Sequence, residues 1–246
     1  MSVSIIIPTW NEAAWLGRTL NVLQGLNPPP REIVLVDGGS GDRTQAIARA
    51  WADRLPLTVL QSPAPGRSVQ MNQGAIAAQG DLLCFLHADT LVPDDLVQVI
   101  ESTLANPAVS GGGFISLMAG PRKTRWGISL HNALKTYYAP MLFRPHLFVR
   151  GLRLLFGDQV MFCRRVDFLA CGGFDPALPI MEEADLCLKL CRLGRLRQLS
   201  RVVQSSDRRV AAWGNLKANA IYLMIGVLWG IGVPATTLKR FYEEVR

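Results

Sequence analysis

Asp81-Leu-Leu-Cys-Phe-Leu-His-Ala-Asp-Thr90 sets five consecutive apolar residues directly before a histidine and an aspartate. A short apolar run bounded by polar residues is typical of a strand that is buried on both faces. Open α/β sheets bind ligands beyond the carboxyl ends of their strands, so His87 and Asp89 could hold a divalent cation there. The alternative is a plain strand end, with Asp89 capping a helix that Pro93 and Asp94 open.

Similar apolar runs occur three times earlier in the chain, and a helical pattern follows each one. The predicted strands cover residues 3–8, 33–36 and 57–60, and the predicted helices lie around 16–23, at 44–55 and at 66–78. This alternation predicts βαβ units and a Rossmann-like, mainly parallel sheet flanked by helices. Because right-handed crossovers bring the strand ends to one edge, we expect residues 9–12, 37–42 and 87–89 to converge.

The second half of the chain has a less regular pattern. Helices are predicted at 94–104 and 182–193, strands at 111–118, 160–163 and 196–203, and a basic, aromatic segment covers 122–153. The chain has no repeat and no low-complexity linker. We therefore predict one domain over residues 1–210 and an apolar, helical C-terminal region over 211–246.

Composition limits the classes of partner. The chain has 246 residues, a formal charge of +7 and a pI of about 9.5, which favours phosphate-bearing partners. The arginines are spread out rather than aligned in a stripe, so we do not expect nucleic acid binding. The five cysteines complete no zinc motif and are interpreted as small apolar residues in a reducing cytosol. The N-terminus lacks a charged segment before its apolar run, so we expect no signal peptide and a cytoplasmic protein.

The segment Asp37-Gly-Gly-Ser-Gly-Asp42 follows the second predicted strand. It is not the G-x-G-x-x-G pattern of dinucleotide-binding proteins. It could bind a phosphate or a ribose, or it could be a tight turn whose glycines supply positive φ angles.

Several segments follow one another along the chain in a characteristic order. They are Ser4-Ile-Ile-Ile-Pro-Thr-Trp-Asn-Glu12, Val36-Asp-Gly-Gly-Ser-Gly-Asp-Arg-Thr44, Gly66-Arg67 with Asn72-Gln-Gly74, Phe85-Leu-His-Ala-Asp89, Gly172-Gly-Phe-Asp175 and Glu182-Glu-Ala-Asp185. Taken together and in this order, they resemble family 2 glycosyltransferases of the GT-A fold, and the resemblance covers roughly residues 2–199. Gly157-Asp-Gln159 and Ser205-Ser-Asp-Arg-Arg209 are similar to a short bacterial subgroup of that family.

The resemblance implies a role for each matching residue on the donor side. Pro8, Thr9 and Glu12 match the first strand end that contacts the nucleotide, and Asp37 matches the carboxylate that binds the uracil or the ribose. Arg67 matches a basic residue near the nucleotide. His87-Ala-Asp89 occupies the metal-binding D-x-D position, in which Asp89 is the direct ligand of Mn²⁺ or Mg²⁺. A nucleoside-diphosphate sugar, with UDP-sugars favoured, is the implied donor.

Glu182 and Glu183 occupy the position of the family's E-D pair, whose second member is the general base. Inverting transfer needs a carboxylate that deprotonates the acceptor hydroxyl as it attacks the sugar, and a cation that stabilises the leaving diphosphate. Two residues depart from the pattern. His87 stands where Asp is usual and could be a ligand, a ribose contact or a structural histidine. Glu183 is one methylene longer than Asp, and the acidic cluster could instead serve the dipole of its helix.

Other candidates lie on the acceptor or diphosphate side. Asp158, Gly173 and Asp185 are predicted to face the acceptor. Arg208 and Arg209 are predicted to neutralise the diphosphate as bidentate donors, the alternative being solvated surface arginines.

Residues 220–238 are almost wholly apolar, and glycines and a proline interrupt them. With the basic, aromatic segment 124–155, they suggest peripheral contact with the inner face of the cell membrane and a lipid-linked acceptor. The alternative is a C-terminal helix packed on the domain or in a dimer interface. Two other functions remain open, a non-catalytic nucleotide-sugar-binding protein and a sugar-phosphate nucleotidyltransferase. A nucleotidyltransferase would have a glycine-rich, arginine-containing loop after its first strand, and Pro8-Thr-Trp-Asn-Glu12 does not match that pattern.

Overall fold

A computed structural model describes residues 1–120 and 123–242. Within these residues, the chain folds into a seven-stranded sheet with helices on both faces. The strands are β1 (Val3–Thr9), β2 (Glu32–Asp37), β3 (Leu57–Gln61), β4 (Leu82–Phe85), β5 (Val109–Ala119), β6 (Phe162–Arg164) and β7 (Arg195–Ser206). The helices are α1 (Leu16–Gln24), α2 (Thr44–Trp51), α3 (Arg67–Ala77), α4 (Leu96–Leu104), α5 (Trp126–Phe143), α6 (Pro145–Arg150), α7 (Arg165–Ala170), α8 (Glu182–Leu190), α9 (Arg208–Trp213), α10 (Asn215–Gly230) and α11 (Ala235–Leu238).

The sheet has the order β3-β2-β1-β4-β6-β5-β7. The pairs β1–β2, β2–β3, β1–β4 and β5–β7 are parallel, and β6 is antiparallel to both of its neighbours. The prediction of a mainly parallel α/β sheet is therefore confirmed. Because β6 runs the opposite way, its amino end lies at the same edge as the carboxyl ends of the parallel strands.

The central strands are buried because the helices cover both faces of the sheet. Side chains of a strand alternate between the faces, so Ile5 and Ile7 join the core beneath α1, where Leu16 packs. Ile6 joins the opposite core beneath α3, where Met71 packs. This arrangement explains why Ile5, Ile6 and Ile7 in β1 are consecutive apolar residues rather than part of an alternating pattern.

The second half departs from prediction mainly at element boundaries. The predicted strand at 111–118 extends over Val109–Ala119, and the helix predicted at 182–193 ends at Leu190. The basic, aromatic segment becomes α5 and α6, while its first residue, Arg122, lies outside the described residues.

The C-terminal region packs onto the rest of the protein. Helix α10 contacts α5 and α9, and its residues Ala218 and Ile225 are buried. Within residues 1–120 and 123–242, every helix is too short or too polar to cross a membrane. Residues 243–246 of the predicted C-terminal region lie outside the description.

Candidate active site

A cavity of about 450 Å³ lies at the carboxyl ends of β1, β4, β5 and β7. The turn before β6 and the helices α5, α8, α9 and α10 complete its walls. The predicted site residues that line it are Pro8, Thr9, Glu12, Arg67, His87, Asp89, Asp158, Glu182, Glu183, Arg208 and Arg209. Side chains from both halves of the chain thus meet at the edge of the sheet where α/β proteins bind ligands.

Two adjacent carboxylates, Glu182 and Glu183, begin α8 and are almost completely buried, with exposures of 4% and 6%. The guanidinium of Arg67 lies 3.3 Å from a carboxylate oxygen of each. Burial and the neighbouring charge of Glu182 raise the pKa of Glu183 to about 7, although the Arg67 cation opposes the rise. A carboxylate with this pKa can accept a proton near neutral pH, as a general base must.

The histidine at the end of β4 has an unusual environment. Its Nε2 atom is buried and has no hydrogen-bond partner within the described residues. Burial, together with the charges of three nearby arginines, holds the pKa of His87 well below its usual value. The imidazole is therefore neutral at physiological pH, which leaves a ring nitrogen able to act as a ligand.

Gly157, in the turn before β6, allows this histidine and the base candidate to approach each other. A Cβ atom at Gly157 would lie 2.4 Å from Nε2 of His87 and 2.6 Å from Oε1 of Glu183, so any larger residue would collide with both. The imidazole nitrogen and the carboxylate oxygen consequently lie within about 5 Å of each other.

Arg208 connects two acidic residues from different strand ends. Its guanidinium donates to both carboxylate oxygens of Glu12, at 2.7 and 2.8 Å, and lies 3.3 Å from Asp89. Burial raises the pKa of Asp89, and the Arg208 charge limits that rise. Bidentate geometry of this kind suits an arginine that also binds phosphate oxygens. Arg209 lines the same cavity and donates to the hydroxyl of Tyr242.

A second polar cluster lies on the wall formed by α5. Asn132 donates to the carboxylate of Asp158 at 3.0 Å. The ammonium of Lys135 lies 3.7 Å from the centre of the Phe156 ring. Burial lowers the pKa of Lys135 to about 8, although the charges of Asp158 and Glu183 oppose the change. This wall offers a carboxylate, an amide and a cation for a polar ligand.

The predicted nucleotide residue Asp37 does not line the cavity. It is fully buried and accepts hydrogen bonds from Thr9, Gln45, and the backbone amides of Gly39 and Ser40. The Ser40 hydroxyl is a further donor. Burial disfavours its charge, but these donors outweigh burial, and the pKa of Asp37 is lower than usual. Its side chain holds the loop after β2, and direct contact with a nucleotide stays a prediction.

The structure also does not bring Gly173 or Asp185 to the cavity. Lys189 joins them, since its ammonium lies 2.8 Å from a carboxylate oxygen of Asp185 and donates to the carbonyl of Gly173 at 2.9 Å. Gly173 has a φ of +63°, and a Cβ atom there would lie 2.9 Å from the Phe168 ring. Both positions thus have structural contacts, and their acceptor-side roles stay predictions.

The fit of a divalent cation depends on His87 and Asp89. No group of three or more His, Cys, Asp or Glu side chains in the described residues forms a complete metal site. Nevertheless, the partnerless Nε2 atom of His87 and the carboxylate of Asp89 line the same cavity, and imidazole nitrogen with carboxylate oxygen is a donor set that Mn²⁺ accepts. Such an ion would take its remaining ligands from phosphate oxygens and water, as Mg²⁺ sites commonly do.

Other cavity residues were not predicted from the sequence. They include Trp10, Gln70, Asn132, Lys135, Phe156, Tyr222, Ile225 and Tyr242. One signal could have indicated two of them, because Asn132 and Lys135 are polar residues spaced i, i+3 in an otherwise largely apolar helix. The residues from α10 had no such signal, since their position depends on how that helix packs.

Comparison with known proteins identifies the relatives of this chain. The family model "Glycosyl transferase family 2" matches residues 4–171. An uncharacterised glycosyltransferase of Mycobacterium tuberculosis is 30% identical over 194 residues, which cover 76% of this chain and 68% of that protein. Validoxylamine A glucosyltransferase of Streptomyces hygroscopicus is 36% identical over 110 residues, or 43% of this chain. That match spans 24% of the relative's own length.

Solved structures show the same fold. A mannosyltransferase from Pyrobaculum calidifontis, in complex with GDP-Man and Mn²⁺, has a TM-score of 0.69 at 21% identity, over 93% of this chain and 62% of that chain. Glucosyl-3-phosphoglycerate synthase from Mycobacterium tuberculosis, in complex with Mn²⁺, UDP and glucosyl-3-phosphoglycerate, has a TM-score of 0.64 at 21% identity. That match covers 95% of this chain and 81% of that one.

Proposed function

The chain belongs to glycosyl transferase family 2, and we propose that it moves a sugar from a nucleoside-diphosphate sugar to an acceptor hydroxyl with inversion at C1. The observation that carries the proposal is the buried Glu182–Glu183 pair, which shares one cavity with the His87–Asp89 strand end. The pKa of Glu183, raised to about 7 by burial and the adjacent Glu182, supports its role as the base. UDP-sugars are the favoured donors.

On the donor side, we assign the nucleotide to the strand ends of Pro8, Thr9 and Glu12, with Arg67 nearby. Arg208 and Arg209 would face the diphosphate, because a guanidinium binds two phosphate oxygens at once. His87 and Asp89 would hold Mn²⁺ or Mg²⁺, which when bound stabilises the negative charge on the departing diphosphate.

In the reaction that we propose, the acceptor oxygen forms a bond to C1 of the sugar as the C1–O bond to the diphosphate breaks. The bonding electrons leave with the nucleoside diphosphate. Glu183 takes the proton of the acceptor hydroxyl, with Glu182 and Arg67 holding its carboxylate in place. The low exposure of the pair keeps the base shielded from bulk water.

On the acceptor side, we assign the wall of Asp158, Asn132 and Lys135. The same part of the cavity also has apolar lining from Phe156 and Ile225. Mixed polar and apolar lining suits a hydroxyl on an amphiphilic molecule, so we propose a lipid-linked or otherwise hydrophobic acceptor at the cytoplasmic face of a membrane.

One observation favours a second function, a nucleotide-sugar-binding protein without turnover. The guanidinium of Arg208 pairs with Glu12 and lies 3.3 Å from Asp89, so a cation already neutralises the carboxylate that would bind a metal. In that case, His87 and Glu183 would be departures that accompany the loss of catalysis.

Donor turnover by the full chain separates the two functions. The assay measures release of the nucleoside diphosphate from a panel of UDP- and GDP-sugars with Mn²⁺, for wild type and Glu183→Gln. Asp185→Asn is the matched control, because Asp185 lies in the same helix but outside the cavity and pairs with Lys189. Turnover lost only in Glu183→Gln would support the transferase. Tight nucleotide binding without turnover of any donor in the wild type would support the binding protein.

A further inference from the structure

The helices α5 and α10 pack against each other and expose rows of large apolar side chains on their outer faces. On α5 one row of exposed residues consists of Trp126, Leu130, Leu134, Tyr137 and Met141, and Leu142 beside it is also exposed. Their spacing of three and four residues places them on one face of the helix. On α10 and directly after it, the exposed residues are Leu216, Leu223, Val227 and Ile231. Trp126 is 70% exposed and Leu216 88% exposed, values far from those of core side chains.

The inner faces of these helices line the cavity. Asn132 and Lys135 reach it from α5, and Tyr222, Ile225 and Gly226 reach it from α10. Only the thickness of one helix, about 10 Å, therefore separates the acceptor wall of the cavity from the exposed apolar rows.

Helices that are apolar on all sides are normally covered on all sides. Here one face of each helix packs inward, while the other is exposed in the described residues. Exposed apolar rows on two helices that pack together are of the kind that marks an interaction site.

The charge around this surface identifies the occupant. Residues 102–157 contain no Asp or Glu, and neither do residues 208–242. The same segments carry exposed basic residues such as Arg150, Lys217 and Arg240. Arg153 is also close, with its guanidinium 5.1 Å from the centre of the Tyr137 ring. An apolar surface on two helices, α5 and α10, that carry basic residues and no acidic ones matches anionic headgroups above acyl chains.

We propose that the outer faces of α5 and α10 dock on an anionic phospholipid bilayer, with their apolar rows inserted at the headgroup boundary. A second copy of this chain is the less favoured occupant, because the contact would bring two basic surfaces together. Docking would hold the acceptor wall one helix away from the lipid. In this respect it deepens the lipid-linked acceptor of the proposed function and rests on it, although docking itself needs no turnover.

Co-sedimentation of the full chain with vesicles tests the docking, without any donor present. Vesicles of phosphatidylcholine alone are compared with vesicles of equal parts phosphatidylcholine and phosphatidylglycerol. We expect binding to the anionic vesicles, and we expect added salt to weaken it because salt screens the basic residues.

The triple variant Leu130→Gln, Leu134→Gln, Leu223→Gln should bind about 1,000-fold more weakly, since each replaced leucine contributes about tenfold. The matched control carries the same replacement by glutamine at Ile76, Val166 and Val202. These residues are equally apolar and 51–67% exposed but lie on α3, α7 and β7. That control should bind like the wild type. Circular dichroism checks that both variants are folded.

Three results would overturn the docking: wild type that ignores anionic vesicles, a triple variant that binds like wild type, or a control that loses binding equally. A fourth result against the docking would come from sedimentation velocity, if the wild type is a dimer and the triple variant is a monomer. Donor hydrolysis, measured in parallel, should be the same in wild type and triple variant, because the replaced leucines do not line the cavity. In the wild type, donor hydrolysis without vesicle binding rejects the docking surface alone, and vesicle binding without hydrolysis rejects the transferase alone.

Discussion

The end of β2 and the start of α8 each bury a carboxylate near the same edge of the sheet, but with opposite consequences. Asp37 is surrounded by hydrogen-bond donors, which hold its pKa below the usual value despite burial. Glu183 is buried beside another carboxylate, which raises its pKa. The charged Asp37 carboxylate therefore stabilises the fold, whereas burial beside Glu182 disfavours the charged form of Glu183. Ionisable groups whose pKa is shifted by burial and a neighbouring like charge cluster at functional sites, where they exchange protons or bind ligands.

The largest effect should come from removing the base. Glu183→Gln should lower kcat for sugar transfer by about 1,000-fold, because an amide cannot accept the proton of the acceptor hydroxyl. Steady-state kinetics with an active donor measures this effect. Asp185→Asn should stay close to wild type, since its carboxylate is paired with Lys189 outside the cavity. Equal losses in both variants would mean that the acidic cluster only supports the start of the helix.

The same substitution should change the pH dependence of stability. The pKa of Glu183 is raised to about 7 from an ordinary value of 4.5, so the unfolded chain ionises first. The folded state is therefore favoured at low pH, and this contribution is lost as pH rises from about 4.5 to 7. This dependence on pH comes from the raised pKa of the Glu183 carboxyl, so Glu183→Gln should remove it. Denaturant unfolding at pH 5 and pH 8 measures the free energy of unfolding of both proteins. The stability of the variant relative to the wild type should be greater at pH 8 than at pH 5.

Removing the carboxylate at the end of β4 should weaken cation binding. Asp89→Asn should lower the affinity for Mn²⁺ about 100-fold in the presence of the nucleoside diphosphate. Calorimetric titration measures the affinity directly, without need of an acceptor. Asp95→Asn serves as the control, because Asp95 pairs with Arg201 at 3.0 Å and does not line the cavity. Unchanged affinity in Asp89→Asn would place the cation elsewhere.

Asp37→Asn should mainly lower stability, in contrast to Glu183→Gln. The amide group of asparagine would face the backbone donors of Gly39 and Ser40, so we expect a loss of about 2 kcal/mol in the free energy of unfolding. Because the pKa of Asp37 is lowered, the charge contributes stability above its ordinary pKa of 3.8, and this is lost as pH falls through the folded value. Unchanged stability with lost UDP affinity would instead support the direct nucleotide contact predicted by the family resemblance.

The smallest effect should come from the α5 wall. Lys135→Met removes a cation that interacts with Asp158 and Glu183. Because a nearby cation favours the charged carboxylate, its loss should raise the pKa of Glu183 and lower the deprotonated fraction at pH 7. We expect kcat/KM to fall about tenfold there and to recover as pH rises. A loss that is equal at every pH would mean that Lys135 only fills space beside Phe156.

The site residues at the carboxyl edge of the sheet can be predicted from the sequence, because the signal lies in the residues around each strand end. Thr9, Glu12, His87 and Asp89 directly follow buried strands, and parallel strands end at one edge whatever else the chain does. The family resemblance added the Glu182–Glu183 pair, but three carboxylates lie in the first turn of α8, and pattern alone does not tell Asp185 from the other two.

The remaining site residues depend on contacts between distant parts of the chain. Tyr222 and Ile225 line the cavity only because α10 packs on α5. Asp37 was expected to face the nucleotide, yet donors from Thr9, Ser40 and Gln45 occupy both of its oxygens. Such outcomes follow from side-chain geometry, which strand and helix patterns do not contain.

One paired measurement most directly tests the claim that Glu183 serves chemistry rather than structure. Nucleoside diphosphate release and thermal stabilisation by UDP with Mn²⁺ are measured in wild type and Glu183→Gln, since bound ligand raises the apparent stability of the folded state. We expect the variant to lose release about 1,000-fold while UDP and Mn²⁺ still stabilise it as they do the wild type. Release that stays at the wild-type rate in Glu183→Gln would contradict the assignment.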